Sequence, residues 1–388
     1  MSNQTNFRGG PAYLTWDSTT WKMREDWKVV LPDQMFDIPS ASGVGISKGI
    51  ADKVGKITFV PKIFKTGLAA QIAALFPYTN PSSAGALVRP TSDLPAVIHK
   101  KFGGTSDLGL TGTAYAAMLT KMPPVTFAPD KPLVGSAVEL SYLQALGTNV
   151  GDAASLFAAA SASYSEPAWT IADELFDRYT LALGYLGTIT AATTNTSTNV
   201  TVTSTAGILP GQAITGTGIP ASTTVASITS STVFVLSAAA TATNASVTLT
   251  LAQLTVVTDK DGITFTPNCV LDPVKPAMEP TRDYRQGMLT GTLSFRPHNI
   301  DVDTFYSTYF PETADVLGGS VEQAQTCQAN ITGAKSGGLN LVIPLVRKAK
   351  AGHEFSTKNP VTDKVELEAI QAYQSSAWQP LFTFGVNS

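Results

Sequence analysis

The sequence predicts a mainly β protein: two tandem β-sandwich or barrel domains of one kind, each with one short helix, plus a small β-sandwich inserted between them. Three observations carry this. The chain repeats a set of landmarks in one order, short β-branched runs dominate it, and its middle is a long stretch without charge.

The landmarks run Thr58-Phe59-Val60-Pro61, an apolar helical segment and Phe76-Pro77, then again Ser294-Phe295-Arg296-Pro297, an apolar segment and Phe310-Pro311. Upstream, Pro32 stands five residues before Asp37 and Pro267 five before Asp272; Asp37 lies 22 residues before Phe59, and Asp272 lies 23 before Phe295. Downstream, Val138-Glu139-Leu140 with Gln144-Ala145 matches Val365-Glu366-Leu367 with Gln371-Ala372 at identical spacing. Self-similarity on this scale sets the whole architecture. The expected layout is an N-terminal arm over 1–27, a first copy over 28–186, an insert over 187–252 and a second copy over 253–388. A chain with two copies of one surface can imitate a dimer, so three chains can imitate a six-membered ring.

In the arm, Trp16, Trp21 and Trp27 need a surface to bury them, either on this domain or on a neighbouring subunit. Residues 28–31 read as a strand ended by Pro32, and 56–60 as a strand stopped at Pro61. From 66 to 76, Leu68, Ile72, Leu75 and Phe76 share a helical face, with Thr66 as the expected N-cap and Pro77 as the stop. In the second copy Asp301 or Asp303 caps a run in which Val302, Phe305, Tyr306 and Tyr309 share a face. Between Tyr78 and Thr113 the first copy carries a long Pro- and Gly-rich excursion, shorter in the second copy. Loops of that length usually serve function or a partner, which makes Lys100 and Lys101 candidates for an inter-subunit loop. Further strands are expected over 125–128, 138–145, 179–183, 339–343, 365–373 and 381–386.

The insert belongs to a stretch, Tyr179 to Thr258, of 80 residues without Asp, Glu, Lys, Arg or His, and Thr fills 19 positions from 188 to 250. β-Branched runs over 199–203, 223–228, 233–236 and 247–251 alternate with Gly-, Pro- and Ser-rich turns, the signature of a small sandwich. Low-complexity disorder competes with that, but Ile208, Ile214, Ile219, Val225, Ile228, Phe234 and Leu236 supply a core that disordered Thr tracts lack.

Composition and motifs exclude more than they assign. Charged residues are 14% of the chain, so much of the surface is neutral, which suits self-association. The net charge of −3 gives no basic field to grip nucleic acid. No apolar run reaches the roughly 18 residues that span a bilayer, and residues 1–10 lack a signal-peptide core, so the chain is expected to stay in the cytosol until assembly. Cys269 and Cys327, 58 residues apart, read as reduced thiols. His99, His298 and His353 are isolated, and neither a nucleophile elbow nor a phosphate-binding loop occurs. The expectation is a non-enzyme with no metal and no cofactor. Glu139, Glu366 and Glu368 sit on strands, Glu139 and Glu366 at equivalent places in the two copies. They are either ordinary solvent-facing residues or the lining of a passage that keeps a polyanion from adhering.

The [Thr/Ser]-Phe-x-Pro strands, the helix ending in Leu75-Phe76-Pro77-Tyr78, the following Asn80-Pro81 and the Val-Glu-Leu strands resemble duplicated major tail (tail tube) proteins of long-tailed bacteriophages. Residues 187–251, with Gly216-Thr217-Gly218-Ile219-Pro220-Ala221-Ser222-Thr223-Thr224-Val225, resemble the immunoglobulin-like modules of phage virion proteins. The resemblance implies a structural virion protein: a homotrimeric, pseudo-hexameric ring subunit, stacked into a tube that conducts viral DNA without binding it specifically. It implies assembly in the host cytoplasm, with tape-measure, tail-tip and terminator proteins as further partners; a wall that lets DNA slide is expected to be neutral to acidic, which makes Glu139, Glu366 and Glu368 candidates of which at least one faces the lumen. The alternative is a carbohydrate- or cell-binding adhesion protein that uses the Thr-rich module, although Phe234 is the only aromatic residue between Thr188 and Leu251.

Overall fold

The computed structural model describes residues 12–24, 28–30, 34–39, 46–52, 54–76, 94–101, 109–143, 157–158, 174–268, 271–274, 283–286, 289–310, 326–349, 364–371, 373–374 and 377–387. Trp27, Cys269, His353, Gln144-Ala145 and the 78–93 and 102–108 parts of the excursion lie outside them. The protein is mainly β, with two helices among the described residues.

Seven strands of the first copy form an antiparallel path: Thr19–Lys22, Ala12–Trp16, Leu94–Lys101, Gly109–Lys121, Val138–Leu143, Val54–Phe59 and Lys28–Val30. The second sheet follows the same plan with Leu254–Val256, Tyr179–Leu183, Thr326–Gly333, Leu339–Lys348, Val365–Ala369, Thr290–Pro297 and Thr258–Asn268. Register agrees as well as order. Phe59 stands opposite Val138 as Phe295 stands opposite Val365. Leu14 faces Ile98 and Trp21, and Leu181 faces Ile331 and Val256. Because a one-residue slip would turn every side chain to the wrong face, matching registers mean matching cores.

This correspondence corrects the expected boundaries. Residues 12–22 are the first hairpin of the first copy rather than an arm. Trp16 and Trp21 are buried in its core, and the Trp16 indole donates to the Ala117 carbonyl oxygen at 3.1 Å. The second copy starts near Tyr179 instead of 253, because Tyr179–Leu183 holds the place of Ala12–Trp16. The insert therefore lies inside the second copy's first hairpin: Leu183 pairs with Leu254 where Trp16 pairs with Thr19. In the first copy that hairpin closes through Asp17 and Ser18, at φ 50° and 55°, the two-residue primed geometry that suits strand twist. Lys100 and Lys101 likewise belong to a strand rather than a loop, opposite Leu110 and Gly109.

Helices α1 (Leu68–Leu75) and α2 (Val302–Tyr309) follow equivalent strands and end alike, the N–H of Phe76 bonding to Ile72 and that of Phe310 to Tyr306. Their starts differ. Asp301 caps α2, accepting from the Thr304 N–H at 2.8 Å and the Thr304 hydroxyl at 2.6 Å, contacts that hold its carboxyl below the usual range. Thr66 does not cap α1; Gly67 occupies the N-cap in the left-handed region, and the entry is tied by Gln71. The Gln71 amide donates to the carbonyls of Phe64 and Thr66 and accepts from the Phe64 N–H.

Both copies share one hydrophobic core, and strands cross between them. Val125–Phe127 of the first copy adds to the outer edge of the second sheet, with Thr126 opposite Thr264. Phe127 meets Tyr179 edge-to-face at 5.0 Å, and on the far side Phe76 of α1 meets Phe384 of the second copy's strand Thr383–Val386 at 4.5 Å.

The insert has its own core, around Phe234, Leu249 and Ile214. The structure makes it one six-stranded sheet, in the order Ile214–Gly216, Asn244–Leu251, Gly187–Thr193, Asn199–Val202, Val233–Leu236 and Val225–Ser230, rather than the expected pair of facing sheets. The sheet rolls until its outer strands meet through the Ala213–Thr224 bridge. Gln212, fully buried, fastens the base: its amide donates to the Tyr185 carbonyl at 2.7 Å and the Ala252 carbonyl at 2.9 Å and accepts from the N–H groups of Leu209 and Tyr185. Both connecting chains, 184–186 and 252–253, are thus clamped by one side chain.

Because the insert stands in for a two-residue turn and carries its own core, replacing 184–253 by Asn-Gly is expected to leave the second sheet folded. Circular dichroism and a single cooperative melt check this; loss of the cooperative transition is the contrary result.

Candidate assembly surface

The second sheet buries one face in the shared core and presents the other outward, as strict alternation on Thr290–Pro297 and Thr326–Gly333 shows; in the first sheet Ser141 and Met118, on the same face as Glu139, are buried as well. Directly paired residues point the same way, so register gives the outward rows of the second sheet. One row runs Thr126, Thr264, Ser294, Glu366, and the next runs Thr266, Thr292, Glu368, Arg347, Thr326. The face is a hydroxyl surface with a few charges of both signs. In the first sheet the matching row is Lys28, Thr58, Glu139, Lys121.

All three candidate carboxylates lie on outward faces, and two of them have close basic partners. Glu139 meets the Lys56 ammonium at 3.0 Å, with its side chain 38% exposed. Glu368 accepts from two guanidinium nitrogens of Arg347, at 3.1 and 2.9 Å, with its side chain 37% exposed. Glu366 is exposed, while its backbone N–H and carbonyl both bond to the Tyr306 hydroxyl. The equivalent pair is Glu139 and Glu366; Glu368 matches Ser141. Sequence reasoning missed Lys56 and Arg347, which turn an expected acidic wall into one of mixed charge. The signal was available: Lys56 lies two residues before Thr58, the cross-strand partner of Glu139.

Behind this face the ionisable groups serve packing. Glu174, at the start of the strap that leads into the second copy, pairs with Arg24 and lies 3.7 Å from the Lys62 ammonium. Asp177 is buried and accepts the N–H groups of Arg178 at 2.7 Å and Lys335 at 3.1 Å. Burial, with Asp177 nearby, pushes the Tyr179 hydroxyl well above its usual value, and burial raises the Cys327 thiol to about 12, so both stay protonated at neutral pH. Among the described residues no cluster of His, Cys, Asp and Glu is arranged to hold a metal ion, and no helix is long and apolar enough to cross a membrane. A shallow apolar cleft of about 240 Å³ separates α1 from the strand Thr383–Val386, lined by Ile72, Phe76, Leu339 and Phe384. Lys100 and Lys101 are not brought to these carboxylates by strand pairing; their strand lies on the far side of Gly109–Lys121 from Val138–Leu143.

No family model and no curated protein matches the chain.

Since Glu368 and Arg347 are both well exposed, their double-mutant cycle (Glu368→Ala, Arg347→Ala and both) is expected to give a coupling of about 0.2–1 kcal/mol that shrinks in high salt. Chemical denaturation measures it; a salt-independent coupling well above that range would mean the pair is desolvated.

Proposed function

We propose that the chain is a structural subunit of a tube: the major tail tube protein of a long-tailed bacteriophage, three chains closing a pseudo-sixfold ring and rings stacking around a passage for DNA. The observation that carries this is the one-way join between two sheets of identical strand order, Val125–Phe127 of the first added to Thr258–Asn268 of the second. A join of that kind repeats head to tail, and six repeats arranged by it close a ring in which the same edge of every sheet is covered.

The outward faces fit the lining of such a passage. A duplex sliding past Thr126, Thr264, Ser294 and Thr292 meets hydroxyls, and two of the carboxylates on these faces, Glu139 and Glu368, pair with Lys56 and Arg347. Each unpaired cation touching phosphate would release counterions and add affinity that slows movement. Glu139 and Glu368 then hold Lys56 and Arg347 away from the DNA. The inserted module, attached at a hairpin turn, is a decoration on the tube, and the other tail proteins meet its ends.

Two outcomes test the proposal. Mass measurement of the assembled protein is expected to give three chains per ring, with six similar lobes in electron micrographs; particles that stay monomeric at every concentration would refute it. Virions built with Glu139→Lys, Glu366→Lys and Glu368→Lys together should assemble, because exposed strand substitutions typically cost about 0.5 kcal/mol or less each. They should eject DNA slowly at low salt and faster as salt rises, whereas ejection at the wild-type rate in low salt would remove these residues from the passage.

A further inference from the structure

We infer that the insert is a rigidly socketed arm rather than a tethered bead: its base loop, residues 207–212, plugs into the second copy and fixes the angle at which the module stands. The inference holds for a single chain and does not rest on the ring. Relative motion is the default for a module joined to its host by short connections, unless the joint is buried and apolar. Here it is buried and apolar. Leu209 is fully buried in the core shared by the two copies, whereas its neighbour Ile208 belongs to the module's own core. One peptide bond thus joins the two cores. Beside it Gly211 stands against Leu254, the first residue of the strand by which the chain re-enters the second sheet.

Amide side chains complete the socket. The Gln212 carboxamide binds the carbonyls of Tyr185 and Ala252 and the N–H groups of Leu209 and Tyr185, so it fixes both connecting chains to the plug. Gly184 passes so near this carboxamide that a Cβ there would lie 2.5 Å from its carbon, and its φ of 108° also calls for glycine. The Gly184 N–H bonds to the Gln328 carbonyl at 2.9 Å, and the Gly184 carbonyl accepts from the Gln253 amide at 2.9 Å. The Asn330 amide donates to Gln253 at 2.7 Å, and the Gln328 amide donates to Asn330 at 3.1 Å. Gln328 and Asn330 alternate with buried Cys327, Ala329 and Ile331, so this chain of amides lies on the outward face of Thr326–Gly333. The joint is therefore held in the core by Leu209 and on the opposite face by Asn330, which leaves no free side about which to pivot.

The connections give no slack either. Three residues separate Tyr179–Leu183 from Gly187–Thr193, and two separate Asn244–Leu251 from Leu254–Val256. Gly184, Tyr185, Ala252 and Gln253 all carry contacts described above, unlike the solvated Gly- and Ser-rich chain of a flexible linker. The far end of the module is stiff as well. The N–H groups of Thr196 and Thr241 bond to the carbonyls of Ala240 and Gly218, which laces its distal loops together. A push on those loops is carried to Leu209 through packed and hydrogen-bonded elements alone. On the proposed tube the module is then a fixed spoke, and load applied to it reaches the core of the wall.

Electron–electron double resonance tests this in the full-length chain, diluted with unlabelled chains so that only distances within one molecule count. Spin labels go on Thr241→Cys, in a distal loop, and Lys260→Cys, on the second copy, both exposed positions, in a Cys269→Ser background; Cys327 is fully buried and stays unlabelled. Thr332→Cys with Lys260→Cys is the reference pair within the second sheet. The expected result is one distance for the arm, as narrowly distributed as the reference. Leu209→Ala and Gln212→Ala should each at least double the width, while the volume-conserving Leu209→Met should keep it narrow. Hydrogen exchange supplies the second arm. The Tyr185 and Leu209 amides should exchange as slowly as those of Thr326–Gly333, and Gln212→Ala should release them while Asn199–Val202 inside the module stays protected. The wild-type width decides by itself: a distribution broader than the reference overturns the socket. Alanine variants as narrow as wild type overturn the roles of Leu209 and Gln212. Failure of the protein to form rings would refute the proposed tube and leave this result standing.

Discussion

The pairing of Val125–Phe127 with Thr258–Asn268 makes two repeated sheets into one body, and the rest of the architecture depends on it. Three residues of strand cannot hold a sheet edge by backbone hydrogen bonds alone. What holds them is burial: Val125 and Phe127 are fully buried in the common core, each burial contributing on the order of 1.5–3 kcal/mol. The acceptor is shaped for the donor. Gly262 sits at φ 75°, and a Cβ there would collide with the Phe127 carbonyl oxygen and with Ala128, so the close approach requires glycine. A second contact braces the join from the other side, where α1 leans its Phe76 on Phe384.

The connection between copies is equally constrained. The strap from Glu174 to Arg178 leaves the first copy through the Phe64–Glu174 bridge and enters the second through Tyr179. Along it, Glu174 is neutralised by Arg24 and Lys62, and the Asp177 carboxylate is satisfied by backbone N–H groups. A buried carboxylate without such partners would cost several kcal/mol. Gly333 and Gly338 crowd the same carboxylate so closely that any side chain there would displace it. The polar groups of the strap therefore fix where the second copy begins.

Much of this was legible in the sequence. The Phe59 and Phe295 strands, the two Val-Glu-Leu strands and both helices were read from repeated motifs, and their registers coincide. The repeat's first hairpin was not legible, because its copies share no motif: Ala12–Trp16 carries Leu14 and Trp16 where Tyr179–Leu183 carries Leu181 and Leu183. Side-chain size differs while pattern and register persist, and pattern alone cannot pick one alternating strand out of many. The boundary error followed, since an insert within an unrecognised hairpin looks like an insert between domains. The outward carboxylates were found and their partners were not, because Lys56 and Arg347 lie 83 and 21 residues away in sequence from Glu139 and Glu368. Cross-strand neighbours become visible only once register is known.

Fusion of two copies also permits something that six identical subunits cannot have. In a homohexamer every outward row repeats six times; in a fused chain alternate rows can differ. Here they do. The first sheet's row is Lys28, Thr58, Glu139, Lys121, and the second sheet's equivalent is Thr264, Ser294, Glu366, Ala349. Lysines in one copy stand where threonine and alanine stand in the other. In the proposed ring, three lysine-bearing rows would alternate with three hydroxyl rows, so a moving duplex would meet a threefold rather than a sixfold pattern of charge.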